Sequence, residues 1–156
     1  GPKPISKIEK LRMTDETTIH QFLQRFGNVA SNEMKKFGIP ASIILGQTML
    51  ASTAGTSLLA TSDNNYFGKE CRPNWNGPST DFKGNCYQRY ETAWNAFRDQ
   101  SNYLSAGPFS HLTNLNPTDY QRWAKGLEMS GYSSNPNYGQ ELIQVIEEYQ
   151  LQRYDR

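Results

Sequence analysis

The sequence predicts a mainly α-helical domain with one small β-hairpin lobe, and three observations carry that prediction. Apolar residues recur at helical spacing along both halves of the chain. One segment, Ala41 to Leu50, is apolar on nearly every side and has to lie at the centre of a helical core. Between the helical stretches, Lys69 to Tyr90 loses the helical period and collects Pro73, Gly77, Pro78 and Gly84, which suits a loop with a hairpin. At 156 residues the chain is long enough for one domain with a substantial core and short for two.

Residues 1 to 14 are polar with scattered apolar side chains, Ile5, Ile8, Leu11 and Met13, and are expected to form an N-terminal arm before a domain spanning 15 to 156. Gly1-Pro2 matches the pair that some tag-cleaving proteases leave and is set aside. Thr14 to Thr17 offers a helix start. Ile19, Phe22, Leu23, Phe26, Val29, Ala30, Met34 and Phe37 then lie along one stripe, and Gly38 fits the stop. Pro40 suits the first turn of the next helix, the buried one, which Thr53 to Gly55 should end. "SLLAT" reads as a short helix capped by Ser57, a capping residue rather than a nucleophile.

Cys71 and Cys86 bracket "RPNWNGPSTDFKGN". A metal site would need further thiols or imidazoles nearby, and His20 and His111 are distant in sequence. A disulfide is expected, with two unpaired core thiols as the alternative. Closing a loop of ~15 residues contributes ~3 kcal/mol by chain entropy. An oxidised pair also implies export from the cytoplasm. After the lobe, "ETAWNAFRDQSNYL" returns to helix, with Trp94 and Phe97 assigned to the core. "GPFSHLTNLNP" reads as a connection, Asp119 to Met129 as a helix with Trp123 inside, and "YGQELIQVIEEYQLQRY" as a final amphipathic helix.

Net charge is +1, so nothing favours a nucleic-acid partner, whereas a neutral polymer such as a polysaccharide fits. No apolar run reaches the ~20 residues that span a bilayer. No cofactor is called for, and a monomer is expected.

A buried helix followed by a polar loop and a hairpin lobe can floor a cleft. A carboxyl on the last turn of that helix would be rigidly held and half-shielded from water, as a general acid for glycosidic cleavage needs to be. Position 51 is where Glu belongs, and the sequence has Ala51.

At this point "IPASIILGQTMLASTAGTSLLATSDNNYFG" resembles the flagellar and autolysin glucosaminidase family of bacterial peptidoglycan hydrolases, within the lysozyme-like group. Ile39, Pro40, Ser42, Gln47, Leu50, Ser52, Gly55, Ser57, Leu59 and Ala60 fall in register with its pattern, followed by Asn64 to Gly68. "YETAWNAFRDQSNYL" and "GYSSNPNYGQEL" look like two further blocks, so the resemblance runs in order from about residue 20 to 152. It implies a lysozyme-like fold, peptidoglycan glycan strands as substrate and an exported bacterial protein.

The resemblance places the family's catalytic Glu at Ala51, with the surrounding frame intact. That implies an inactive Glu→Ala variant, with a natural glycan-binding pseudoenzyme as the alternative. The bond cut, glucosaminidase or muramidase, stays open, as do lytic transglycosylase chemistry and a purely structural assembly role. For the second catalytic group the lobe offers Asp81 and, less favoured, Glu70, unless the substrate's own acetamido group serves. Tyr138 and Tyr132 are expected at the sugar, with Tyr66, Asn65 and Trp75 as further substrate contacts and Phe67 as a core plug.

Overall fold

The computed structural model describes residues 3–156, so the Gly1-Pro2 pair lies outside it. The stretch read as an arm contains a helix, α1 (Lys7–Arg12). Ser6 and Glu9 form a capping box at its start, and Ile8 and Leu11 are buried on its inner face. Helix α2 (Glu16–Phe37) begins one residue later than Thr14 suggested, because the Asp15 carboxylate accepts the Thr18 N–H at 2.8 Å. Gly38 ends α2 at φ +75°.

Helix α3 (Ala41–Ser52) is the central element, in contact with α1 and α2 and with the C-terminal helices described below. Pro40 precedes it and offers no side-chain cap. Its start is capped from the far end of the chain: the Asp155 carboxylate accepts the Ser42 N–H at 2.8 Å and the Ser42 hydroxyl at 2.6 Å. It ends through three successive left-handed residues, Thr53, Ala54 and Gly55. Gly55, at φ +81°, passes so close to Phe22 and Tyr66 that a Cβ would lie 3.2 and 3.3 Å from their rings. Helix α4 (Leu58–Asp63) follows, with the Ser57 hydroxyl accepting the Ala60 N–H at 3.2 Å.

The lobe holds β1 (Ser79–Phe82) and β2 (Asn85–Gln88), antiparallel from Ser79↔Gln88 to Phe82↔Asn85. Lys83 and Gly84 turn the chain with φ +52° and +83°, the left-handed pair that a two-residue hairpin requires. Cys71 and Cys86 form the expected disulfide, with Cα atoms 5.4 Å apart.

Helix α5 (Ala93–Leu104) packs on α2 and buries Ala93, Ala96, Phe97, Gln100, Ser101 and Leu104. Trp94 falls off that stripe. Contrary to the core assignment it is 49% exposed, with the Arg98 guanidinium 4.6 Å from its ring centroid. The Arg98 side chain also reaches Glu33 of α2, with both nitrogen–oxygen distances at 2.9 Å. A 3₁₀ segment at Gly107–Asn114 occupies the expected connection. Helix α6 (Tyr120–Met129) buries Trp123, and α7 (Tyr138–Glu148) packs along α6 and α3. The final run is two pieces rather than one helix, because Gln150 at φ +54° separates α7 from a 3₁₀ turn at Leu151–Tyr154. No helix among the described residues is long and apolar enough to cross a membrane.

Candidate active site

A cleft of about 590 Å³ opens where the last turn of α3, the chain entering the lobe and the start of α7 meet. Its floor comes from Gln47, Leu50 and Ala51 of α3, and one wall is the run Phe67 to Glu70. Tyr103 of α5, Tyr132 from the loop after α6, and Tyr138 with Glu141 of α7 also line it, and Ser6 and Lys7 at the start of α1 reach its edge. This volume lies within the range of ordinary ligand sites.

Ala51 sits on that floor. The chain passes over it at Gly68, φ +64°, where an added Cβ would stand 3.9 Å from the Ala51 methyl. A glycine in this conformation keeps the wall above position 51 bare, leaving room for a longer side chain there.

One turn earlier, the Gln47 Oε1 accepts from the Gln100 amide at 2.9 Å, and the same Gln100 nitrogen donates to the Tyr132 hydroxyl at 2.8 Å. The Gln47 Nε2 is buried without a partner among the described residues. The Tyr132 and Tyr138 rings lie 5.2 Å apart. Burial pushes both phenols up from their ordinary value, so they stay neutral and can donate hydrogen bonds at any physiological pH. The structure therefore brings Ala51, Tyr132 and Tyr138 together.

Other expected site residues lie elsewhere. Tyr66 points inward, 4% exposed, with its ring 5.1 Å from Phe26 and its hydroxyl accepting from Arg25 at 3.1 Å. It is a core residue and not a sugar-facing one. Asn65 is 1% exposed, and its amide is spent on the backbone: it donates to the carbonyls of Lys69 at 3.0 Å and Gln88 at 2.8 Å and accepts the Lys69 N–H at 2.9 Å. Its place is in tying the lobe to the body. Trp75 donates its indole N–H to the Pro78 carbonyl at 2.9 Å and covers Gly77, outside the cleft lining. Phe67 packs edge-on against Phe97 at 5.1 Å, the plug role expected of it, with one side reaching the cleft.

The two lobe carboxylates separate. Asp81 is exposed on β1 and is not part of the lining, whereas Glu70 lines the cleft and pairs as a bridge with Tyr87.

Glu141 and Lys69 are among the lining residues that the sequence did not single out. Glu141 follows Tyr138 by three positions, so both occupy one face of α7, and that spacing was available as a signal. Lys69 had none, being one of 16 Lys and Arg residues with no distinguishing pattern. Its ammonium lies 3.2 Å from the Tyr103 ring centroid, and burial pushes its pKa down to about 7. Beside it, Asp99 accepts from Arg72 at 2.9 Å and from Gln88 at 3.2 Å, and also from the Tyr90 hydroxyl.

A family model for the glucosaminidases, described as mannosyl-glycoprotein endo-beta-N-acetylglucosaminidase, matches residues 27–151. The chain belongs to the glucosaminidase family. This glucosaminidase-family chain is 25% identical over 169 residues to the exo-glucosaminidase LytG of Bacillus subtilis, a match covering 98% of the chain and 58% of LytG. It is 28% identical over 142 residues to the peptidoglycan hydrolase FlgJ of Salmonella typhimurium, covering 81% and 45% of the two chains. The chain thus spans about half the length of the curated relatives it matches. Among solved structures, the catalytic domain of the autolysin Auto from Listeria monocytogenes superposes with a TM-score of 0.75 at 23% identity, covering 98% of this chain and all of that one. That likeness is one of fold. The glucosaminidase-family fold here is therefore mainly helical, with the two-stranded lobe beside the cleft.

Proposed function

We propose that this glucosaminidase-family chain is the glycan-cleaving domain of an exported bacterial wall hydrolase. It would act on a β-1,4 glycosidic bond of peptidoglycan, with its general acid absent at position 51. The observation that carries the reading is the placement of Ala51: it stands on the last turn of the buried α3, on the floor of the cleft, beneath a bare glycine. A Glu there would be held rigidly and partly shielded from water, conditions that raise a carboxyl pKa and let it protonate a leaving glycosidic oxygen. The Cys71–Cys86 disulfide supports an oxidising destination. The name of FlgJ, a peptidoglycan hydrolase, supports the substrate class, and that of LytG, an exo-glucosaminidase, supports glycosidic cleavage.

In this reading the neutral Tyr132 and Tyr138 hydroxyls hydrogen-bond the sugar. Glu70 replaces Asp81 as the carboxylate across the bond, because it lines the cleft and Asp81 does not. An inverting route needs the two carboxyls roughly 6.5–9.5 Å apart to admit a water between them. As the chain stands, hydrolysis is negligible, since losing general-acid catalysis alone costs ~10²–10⁴-fold.

The test restores the acid. Ala51→Glu and the parent chain are incubated with purified peptidoglycan, and released fragments are identified by mass spectrometry. Fragments from the Glu form alone support the reading, and the reducing-end sugar names the bond. A product lighter by one water would mark an anhydro ring and lytic chemistry instead. A glycan-binding pseudoenzyme would bind strands and release nothing in either form.

A further inference from the structure

Lys69 is a partly buried cation of the cleft whose environment calls for an acceptor that the described residues do not supply. Its ammonium lines the cleft on the same wall as Gly68, next to the residue that passes over position 51. An ammonium carries three N–H donors. Among the described residues none of them meets an acceptor oxygen. The nearest described contact is the face of Tyr103, which attracts a cation but accepts no ordinary hydrogen bond.

The carboxylate best placed to serve Lys69 is committed elsewhere. Asp99 has one oxygen on Arg72 and the other on Gln88 and Tyr90. Glu70 and Glu141 share the cleft, yet neither forms an ion pair with Lys69. Arg72 also lines the cleft, but its charge is answered by Asp99 at 2.9 Å. A cation held partly out of water without an anion or acceptor is costly to keep charged. The depressed Lys69 pKa is the expected consequence of that cost, and it agrees with the geometry.

From this arrangement we infer that Lys69 is a specificity residue that receives a carboxylate of the bound glycan, so the cleft prefers a strand whose sugars carry acid groups over a neutral strand of equal length. The inference rests on the glycan reading of the cleft. A peptidoglycan strand freed of its stem peptides supplies such a group, because alternate sugars then bear a lactyl ether ending in a free carboxylate, whereas a chitin-type strand has none. An arriving carboxylate would give the ammonium its missing acceptors, and the Tyr103 face would hold the lysine stem in place. A charge-assisted hydrogen bond of this kind gives about ten- to hundredfold in affinity.

The experiment uses the chain as it is, with Ala51, so that ligands survive the measurement. Two probes are titrated by calorimetry near neutral pH: a peptide-free tetrasaccharide of alternating N-acetylglucosamine and N-acetylmuramic acid, and the N-acetylglucosamine tetramer. The parent is expected to bind the acidic probe about tenfold or more tightly than the neutral one. Lys69→Met should remove that preference, lowering affinity for the acidic probe far more than for the neutral tetramer, and Lys69→Arg should keep part of it. Lys69→Met should also melt no lower than the parent, since it deletes a poorly satisfied charge, which separates lost recognition from lost folding. If both probes bind the parent equally, or if Lys69→Met discriminates as the parent does, the inference is overturned and the glycan reading survives. If neither probe binds the parent, the glycan reading fails, and this inference with it.

Discussion

Replacing Asn65 tests whether the lobe is held to the helical body by one buried amide. The side chain is 1% exposed and makes three hydrogen bonds, all to backbone of the chain entering the lobe and of β2. Each is worth ~1 kcal/mol net, so Asn65→Ala should cost ~3 kcal/mol. For a chain of 156 residues that corresponds to a fall in Tm of roughly 6–12 °C. Asn65→Asp should be at least as damaging at neutral pH, because a carboxylate would face the Lys69 and Gln88 carbonyls that now accept from the amide nitrogen. Acidification should return part of the loss as the new carboxyl gains a proton and can donate again. Far-UV circular dichroism melts give the global effect, and amide exchange in β1 and β2 shows whether the lobe loosens first. The competing view, that Asn65 serves substrate alone, predicts weakened glycan binding at unchanged stability. An Asn65→Ala variant melting within about 2 °C of the parent, with unaltered exchange in the hairpin, would refute the anchoring argument.

Two further outcomes follow from the same region. Lys69 titrates near 7 in the folded chain against 10.5 for a free lysine, so between those values the unfolded chain binds the extra proton. Stability should therefore rise with pH across that window, and the rise should flatten in Lys69→Met; burial sets the shift, with the neighbouring Asp99 opposing it and Arg72 adding to it. Urea denaturation at a series of pH values measures both. Replacing Cys71 and Cys86 together by serine should cost ~3 kcal/mol from the chain-entropy estimate for their separation of 15 residues. Because strands of four residues are marginal alone, that loss should appear first as faster amide exchange in the hairpin, ahead of the helices.

Much of the fold was legible because its signals are local. A helix declares itself by which residues share a face, so the α2 stripe, the wholly apolar α3 and the break at Thr53 to Gly55 could be read without knowing any neighbour. The disulfide was legible because a Gly- and Pro-rich loop bracketed by two cysteines leaves few alternatives. The placement of Ala51 on the last turn of the buried helix was legible because the end of such a helix is a defined place. Trp94 shows the limit of period alone, since one step around α5 from Ala93 carries a tryptophan from the core to solvent.

What the chain alone determined, then, was the helical order, the hairpin insertion and the cysteine pair, each fixed by chemistry within a few consecutive residues. Only the tertiary structure decided which way each aromatic and each charge faces. Tyr66 and Phe67 are adjacent, yet Tyr66 is wholly given to the core while Phe67 reaches the cleft, because the left-handed turn at Asn64 and the packing of Phe26 and Phe97 set the chain's direction there. Glu70 reaches the cleft and Asp81 does not, a difference fixed by where the disulfide and the Asn65 bonds hold the lobe. Asp155 caps α3 from more than a hundred residues away, and Lys69 meets Tyr103 rather than a carboxylate. Such contacts depend on distances between segments that no local spacing encodes, which is why they appear only once the chain has folded.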